Sequence, residues 1–220
     1  MPSLGAAPLP RAKAESAGTS GTETSVFEPV AWQDVAVGNV GPKVFALALH
    51  AAAVAVERGD VSDPGTLTVI DFSQPSTKRR MWIYDLRNRT LLFEDLVSHG
   101  RGSGVGQATS FSNQPDSNRS SLGLYRTAET YVGKHGYSLR LDGLERGFND
   151  RARERDIVMH AADYVNAAAA KAQGYLGRSL GCPAVRPEIS RQMIDSVKRG
   201  GLLFAYYPDP LWLETSKYLP

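Results

Sequence analysis

Cys182 is the only cysteine of the 220-residue chain, and it stands in Gly177-Arg178-Ser179-Leu180-Gly181-Cys182-Pro183-Ala184-Val185. A thiol reacts as its thiolate, so its surroundings decide whether it is a nucleophile or an inert small hydrophobe. Inert core cysteines usually sit inside strands or helices, whereas Gly181-Cys182-Pro183 reads as a loop. Glycine before the cysteine permits a tight turn that exposes sulfur and gathers amide N–H groups, as an oxyanion hole requires. Pro187 suits the first position of a helix, whose positive end would favour a thiolate nearby. His160 follows the apolar run Ile157-Val158-Met159. It is the residue type that takes a proton from a thiol and returns it to a leaving amine. The chemistry described is acyl transfer through a covalent intermediate. Cys182 attacks, His160 moves the proton and Gly181 shapes the turn, while Ser179 either orients His160 or hydrogen-bonds its own turn.

The other titratable residues carry weaker signals. His135 lies in the turn Gly133-Lys134-His135-Gly136 and faces either a substrate groove or solvent. His99 precedes a Gly-rich loop and reads as a strand-end residue. His50 shares a helix face with Lys43 and Glu57 and reads as surface. Arg151, Arg153, Glu154 and Arg155 form a charge run whose default meaning is solvation. Tyr125 and Tyr131 read as packing residues.

These side chains must be positioned by a strand-rich domain. Residues 1–25 are rich in Ala, Gly, Ser, Thr and Pro and read as a disordered tail. Val44, Leu47, Ala48, Ala51, Val54 and Ala55 recur at helical spacing over residues 43–58, and Gly59 supplies a stop. From Leu67 alternation predicts a half-buried strand. Residues 81–86 and 91–97 predict a hairpin around Arg87-Asn88-Arg89, and 125–131 with 137–141 predict another pair. Residues 100–121 read as loop. A short strand at 156–160, an Ala-rich helix over 161–173, a loop over 178–186, a helix from Pro187 to about Lys198 and a strand at 202–207 complete the pattern. The order is not a βαβ alternation.

Composition narrows the function classes. Twenty-five basic and 23 acidic side chains leave a net charge of +2, which offers no electrostatic case for nucleic acid or an anionic membrane. A lone cysteine excludes an intramolecular disulfide and the zinc sites built on cysteine pairs. No apolar run is long enough to span a bilayer. The opening MPSLGAAPLP lacks the basic and apolar regions of a signal peptide.

Several ordered motifs extend the reading. Ile157-Val158-Met159-His160-Ala161 followed by Ser179-Leu180-Gly181-Cys182 resembles the His…Ser-x-Gly-Cys pattern of L,D-transpeptidases with a YkuD-like catalytic domain. Ser120-Ser121-Leu122-Gly123-Leu124-Tyr125 is similar to an upstream motif of that family, and Arg199-Gly200-Gly201 with Leu202-Leu203-Phe204 to its closing segment. The turn at 133–136, Leu141-Asp142-Gly143-Leu144-Glu145 and Asn149-Asp150-x-Ala152-Arg153 have counterparts in the murein L,D-transpeptidase branch. The chain departs from the wider family at Leu180 and Ala184, where His and Arg or Asn are common. Contacts made there would come from Arg178 or Arg186. The 22-position separation of His160 and Cys182 is longer than usual, and the Ala-rich helix accounts for it.

The resemblance implies an α+β, strand-rich fold: a YkuD-like β-sandwich with a few packed helices and an N-terminal helical brace over 26–64, the catalytic domain spanning 65–220. It implies peptidoglycan stem peptides as substrate, a Cys182 thioester, release of D-Ala and transfer to an amine of a neighbouring stem. Arg178, Arg153, Ser121 and His135 would contact substrate. Neither metal nor organic cofactor is implied. Carbapenem-type inhibitors would acylate the thiol, and a periplasmic or wall-facing location follows from the substrate. Water as acceptor would instead give an L,D-carboxypeptidase. A third reading is a wall-binding domain with an inert cysteine.

Overall fold

A computed structural model describes residues 25–220. The tail expected over 1–25 therefore lies, but for its last residue, outside the described residues. Helix α1 (Pro42–Glu57) begins with proline in its first turn, where the missing N–H costs no helical bond. Its buried face is Val44, Phe45, Ala48, Leu49, Ala51, Ala52 and Ala55. His50 is exposed, as its spacing predicts.

Eight strands join one sheet: β1 (Thr66–Asp71), β2 (Met81–Asp85), β3 (Thr90–Asp95), β4 (Gly123–Gly133), β5 (Gly136–Gly143), β6 (Val158–Ala161), β7 (Ala184–Val185) and β8 (Leu202–Tyr206). Their spatial order is β3-β2-β1-β8-β4-β5-β6-β7. β1 runs parallel to β8 and β6 parallel to β7, while the other pairs are antiparallel. Helices α2 (Ala167–Gln173), α3 (Pro187–Val197) and α4 (Pro210–Thr215) complete the α+β fold.

The core is continuous from α1 through the sheet to α4. α1 packs on β1 and β8 and so shares that core as the brace expected of it. β1 departs from the half-buried strand its alternation predicts, because all six of its residues are buried. It lies between β2 and β8 with both α1 and α3 packed on it, leaving no solvent face.

Two motif residues prove to be architectural. Glu145 is 2% exposed. Its carboxylate accepts from the Leu124 N–H at 2.7 Å, Trp212 Nε1 at 2.9 Å and Ser216 Oγ at 2.6 Å. Asn149 donates to the carbonyls of Leu122 and Leu124, both at 3.0 Å, and its side-chain oxygen accepts the Glu145 N–H at 2.8 Å. Together they tie α4 to the start of β4.

The Ala-rich helix is shorter than its composition suggests. α2 starts only after Asn166, whose side chain caps it by accepting the Ala169 N–H at 3.0 Å. Residues 162–166 form a turn instead, in which Tyr164 O accepts the Gly177 N–H at 3.1 Å. A satellite core of Leu96, Val165, Ala170, Leu176 and Ala184 lies beneath. Two elements carry too little local pattern to be read from sequence. These are the two-residue strand β7, inside the segment read as loop, and α4, capped by Asp209 accepting the Trp212 N–H at 2.9 Å.

Candidate active site

Strand register brings the chemical residues together. In the parallel pair β6·β7, His160 lies opposite Ala184, so Cys182, two residues earlier, falls beside Val158. The Val158 N–H accordingly points to Cys182 Sγ at 3.5 Å, and the thiol faces the Asp156 carbonyl at 3.5 Å. In the antiparallel pair β5·β6, Ser138 lies opposite His160. This carries the β4–β5 turn over the imidazole, where the His135 ring stacks on His160 with centroids 4.3 Å apart. Cys182, His160, His135, Ser179, Leu180 and Arg178 line one cleft of about 520 Å3. Tyr131, Lys134, Arg140, Arg155, Asp156, Val158 and Tyr164 complete it.

The loop that presents the thiol is held from below. Ser179 pairs with Gly100: its N–H donates to His99 O at 3.0 Å and its carbonyl accepts the Arg101 N–H at 2.8 Å. The Ser179 hydroxyl donates to Cys182 O at 2.7 Å and accepts the Gly181 N–H at 3.1 Å. Of its two expected roles, Ser179 therefore performs the turn-closing one. Gly181 has φ +130°, and a Cβ there would meet Ile157 Cδ1 at 2.7 Å and Arg119 O at 2.8 Å. Both conformation and space demand glycine. The Gly181 N–H is consumed within the turn, whereas the Cys182 N–H has no acceptor among the described residues. Ser120, which the sequence reading did not single out, accepts the Gly100 N–H at 3.0 Å and donates to Gly181 O at 3.1 Å.

His160 is 2% exposed. Its Nδ1 lies 2.7 Å from the Ala161 carbonyl, so Nδ1 carries the proton and Nε2 is the basic nitrogen. Burial pushes its pKa below the usual imidazole value, and neighbouring His135 and Lys134 act in the same direction. Burial also pushes the Cys182 thiol up, against the Val158 N–H and then Arg155, which favour the thiolate. At neutral pH the resting pair is thiol and neutral imidazole. Pro187, at the start of α3, lines a neighbouring depression with Lys134, His135 and Asp163.

The expected substrate residues divide. Arg178 and His135 line the cleft. Arg153 does not, because Asp142 at 2.6 Å and Glu129 at 2.7 Å hold its guanidinium. Ser121 is 3% exposed, its hydroxyl donating to Ser112 O at 2.8 Å and accepting from Arg155 at 2.6 Å. Arg186 is equally withdrawn, paired with Asp95 at 2.9 Å. Ala184 is buried, while Leu180 is exposed on the cleft rim. Arg155, read as part of a solvated charge run, is a cleft residue, and so is Tyr131, read as packing. Nothing local distinguishes Arg155 from Arg153, and only the long-range partners of each do.

The family model for the L,D-transpeptidase catalytic domain matches residues 37–206. No curated protein matches the chain. Among solved structures, an L,D-transpeptidase from Mycobacterium smegmatis aligns at 13% identity with a TM-score of 0.41, covering 65% of this chain and 59% of that one. An L,D-transpeptidase from Stackebrandtia nassauensis aligns at 15% identity and TM-score 0.37, covering 74% and 68%. L,D-transpeptidase 3 from Mycobacterium tuberculosis, in complex with a faropenem-derived adduct, aligns at 13% and 0.39, covering 66% and 61%. The chain thus spans 59% of the M. smegmatis protein's length. The match over 37–206 takes in all of α1, the whole sheet and the cleft, and by it the chain belongs to the L,D-transpeptidase catalytic-domain family.

Proposed function

We propose that this protein is a peptidoglycan L,D-transpeptidase that works through a Cys182 thioester and releases D-Ala. Family membership supports acyl transfer, and one observation carries the rest: Cys182 and His160 line the same cleft, with His160 tied through Nδ1 to Ala161 O. In this mechanism His160 Nε2 takes the thiol proton as sulfur attacks the carbonyl at the L-centre of the stem's diamino acid, next to the terminal D-Ala. The Cys182 N–H faces the developing oxyanion. The imidazolium returns its proton to the departing D-Ala amine. A stem amine then gives up a proton to His160 and displaces sulfur, forming the cross-link. Arg178 is suited to a substrate carboxylate, since its guanidinium makes one bond to protein, to Gly104 O at 3.2 Å, and keeps its other donors. Such a reaction takes place outside the cytoplasmic membrane. Among the described residues no helix is long and apolar enough to cross one.

Incubation of the wild type and Cys182→Ala with purified disaccharide-tetrapeptide tests the proposal. Dimeric muropeptides with free D-Ala, absent with Cys182→Ala, are expected. Tripeptide alone would mean an L,D-carboxypeptidase, and no product with either protein would leave the wall-binding reading. A carbapenem, an activated amide, should add once to intact wild-type protein and not to Cys182→Ala, as read by mass spectrometry.

A further inference from the structure

Arg155 lies in a segment with Arg151 and Arg153, yet its surroundings differ from theirs. Arg151 is paired with Glu154 at 2.9 Å, and Arg153 with Asp142 and Glu129. Arg155 has no carboxylate partner among the described residues. Its Nη1 donates to Ser112 O at 2.7 Å and Ser121 Oγ at 2.6 Å, and its Nη2 to Arg119 O at 2.7 Å and Ser117 Oγ at 3.2 Å. All four acceptors are neutral. A guanidinium keeps its proton even when burial disfavours the charge, so a full positive charge is held in the cleft wall without an anion to balance it. Its Nη2 lies 3.5 Å from where a Cβ on Gly181 would stand, against the backbone that presents sulfur. With both Nη groups saturated, Arg155 has little left with which to grip a substrate carboxylate, unlike Arg178.

We propose that Arg155 is a positioning residue whose unbalanced charge is the counter-charge of the Cys182 thiolate. The anion it lacks in the resting protein is the one that appears on sulfur when His160 removes the proton. The same four hydrogen bonds that lock the 112–121 loop hold the charge at that spot, so it needs no reorganisation during the reaction. The other charged or titratable groups of the cleft do not replace it. Asp156 is paired with Arg140 at 3.1 Å. Lys134, on the β4–β5 turn, favours the thiolate less than Arg155 does, Arg178 has its free donors for substrate, Tyr164 is neutral, and His160 becomes charged only as the thiolate forms and passes that proton on to the leaving amine. Consistent with this, Arg155 acts to lower the thiol's pKa against the larger effect of burial.

The inference rests on Cys182 being the nucleophile, but its test does not require peptidoglycan. Because the chain has one cysteine, the pH midpoint of iodoacetamide alkylation reports Cys182 alone. Arg155→Gln should raise that midpoint by about one pH unit, slowing alkylation roughly tenfold at pH values below it. Arg155→Lys should restore most of the rate, and Ser117→Ala, which removes a hydrogen-bond partner but no charge, should leave the midpoint in place. An unchanged midpoint in Arg155→Gln, or an equal rise in Arg155→Lys or Ser117→Ala, overturns the proposal. If Arg155→Gln does not fold, Arg155→Met and a salt series on the wild type replace it. The wild-type midpoint should then rise with ionic strength, and a flat response counts against the idea. A shifted midpoint in a protein that makes no muropeptide product would sink the transpeptidase reading and leave this one standing. Product formation with an unshifted midpoint would do the reverse.

Discussion

At the scale of single residues, the pair Cys182 and His160 rests in its neutral form. Burial raises the thiol's pKa and lowers that of the imidazole. The sign of each shift sets a pH profile. His160 must be unprotonated to act as base, and its lowered pKa keeps it so below the pH at which an ordinary histidine charges. Turnover on muropeptide should therefore persist into mildly acidic solution and fall only as pH drops through the His160 pKa. Alkylation without substrate should keep rising past the usual thiol range. His160→Gln should cut turnover by about 10²–10⁴ while leaving alkylation at high pH nearly unchanged, because hydroxide replaces the missing base. A comparable loss of alkylation at high pH would mean that the substitution disrupts the loop instead. These two residues were readable from type and motif. That Ser179 closes the Cys182 turn was one of two readings, decided by its short bond to Cys182 O.

At the scale of elements, the β4–β5 hairpin and the Glu145–Asn149 segment do different work. The hairpin tip lays His135 on His160. An aromatic pair of this kind contributes about 0.5–1.5 kcal/mol, so His135→Ala should lower kcat/KM by roughly two- to tenfold, without loss of carbapenem adduct at saturation. Glu145 accepts three hydrogen bonds in the core, two of them from the C-terminal segment. Glu145→Ala strands those donors and should lower unfolding stability by about 2–4 kcal/mol, seen as a lower urea midpoint, with Glu145→Gln retaining part of it. The hairpins and α3 were legible because Gly, Pro and alternation punctuate them locally. The Ala-rich stretch was over-read, because alanine favours helix everywhere while the Asn166 cap chooses where it starts.

At the scale of the whole molecule, the site leans on a buried cation. Arg80 is fully buried, donating to Val97 O at 3.0 Å, Gln74 O at 2.8 Å and His99 Nδ1 at 2.8 Å. An arginine can only donate, so His99 Nδ1 accepts and Nε2–H donates to Gly104 O at 3.2 Å. His99 O in turn receives the Ser179 N–H. Burial first, and then Arg80, push His99 down to about 4. A histidine with a depressed folded-state pKa supports stability above its unfolded value, near 6.5, and that support is lost as pH falls towards 4. The loss amounts to about 3 kcal/mol. Thermal or urea unfolding across that window should show it, and His99→Gln should flatten this part of the curve. An acid limb unchanged by the substitution would assign the loss to other groups.

The sequence by itself determined the glycine between turn and thiol, the strand-rich α+β character and the family, and it singled out Cys182 and His160 as the proposed nucleophile and proton carrier. Each rests on residue type or on spacing along the chain, which short-range sterics and hydrogen bonding translate directly into backbone shape. Tertiary structure decided which charges face the thiol. Arg151, Arg153 and Arg155 are alike in type and spacing, and only partners 11 to 43 residues away distinguish the last two. Glu129 draws Arg153 away from the cleft, while Ser112 O, Ser121 and Arg119 O draw Arg155 into its wall. It likewise buried both faces of β1, withdrew Ser121 and Arg186, and made a strand of Ala184–Val185 so that Cys182 comes to lie beside Val158. A side chain's chemistry is local, but its direction and its counter-charge come from elements distant in sequence that only folding brings together.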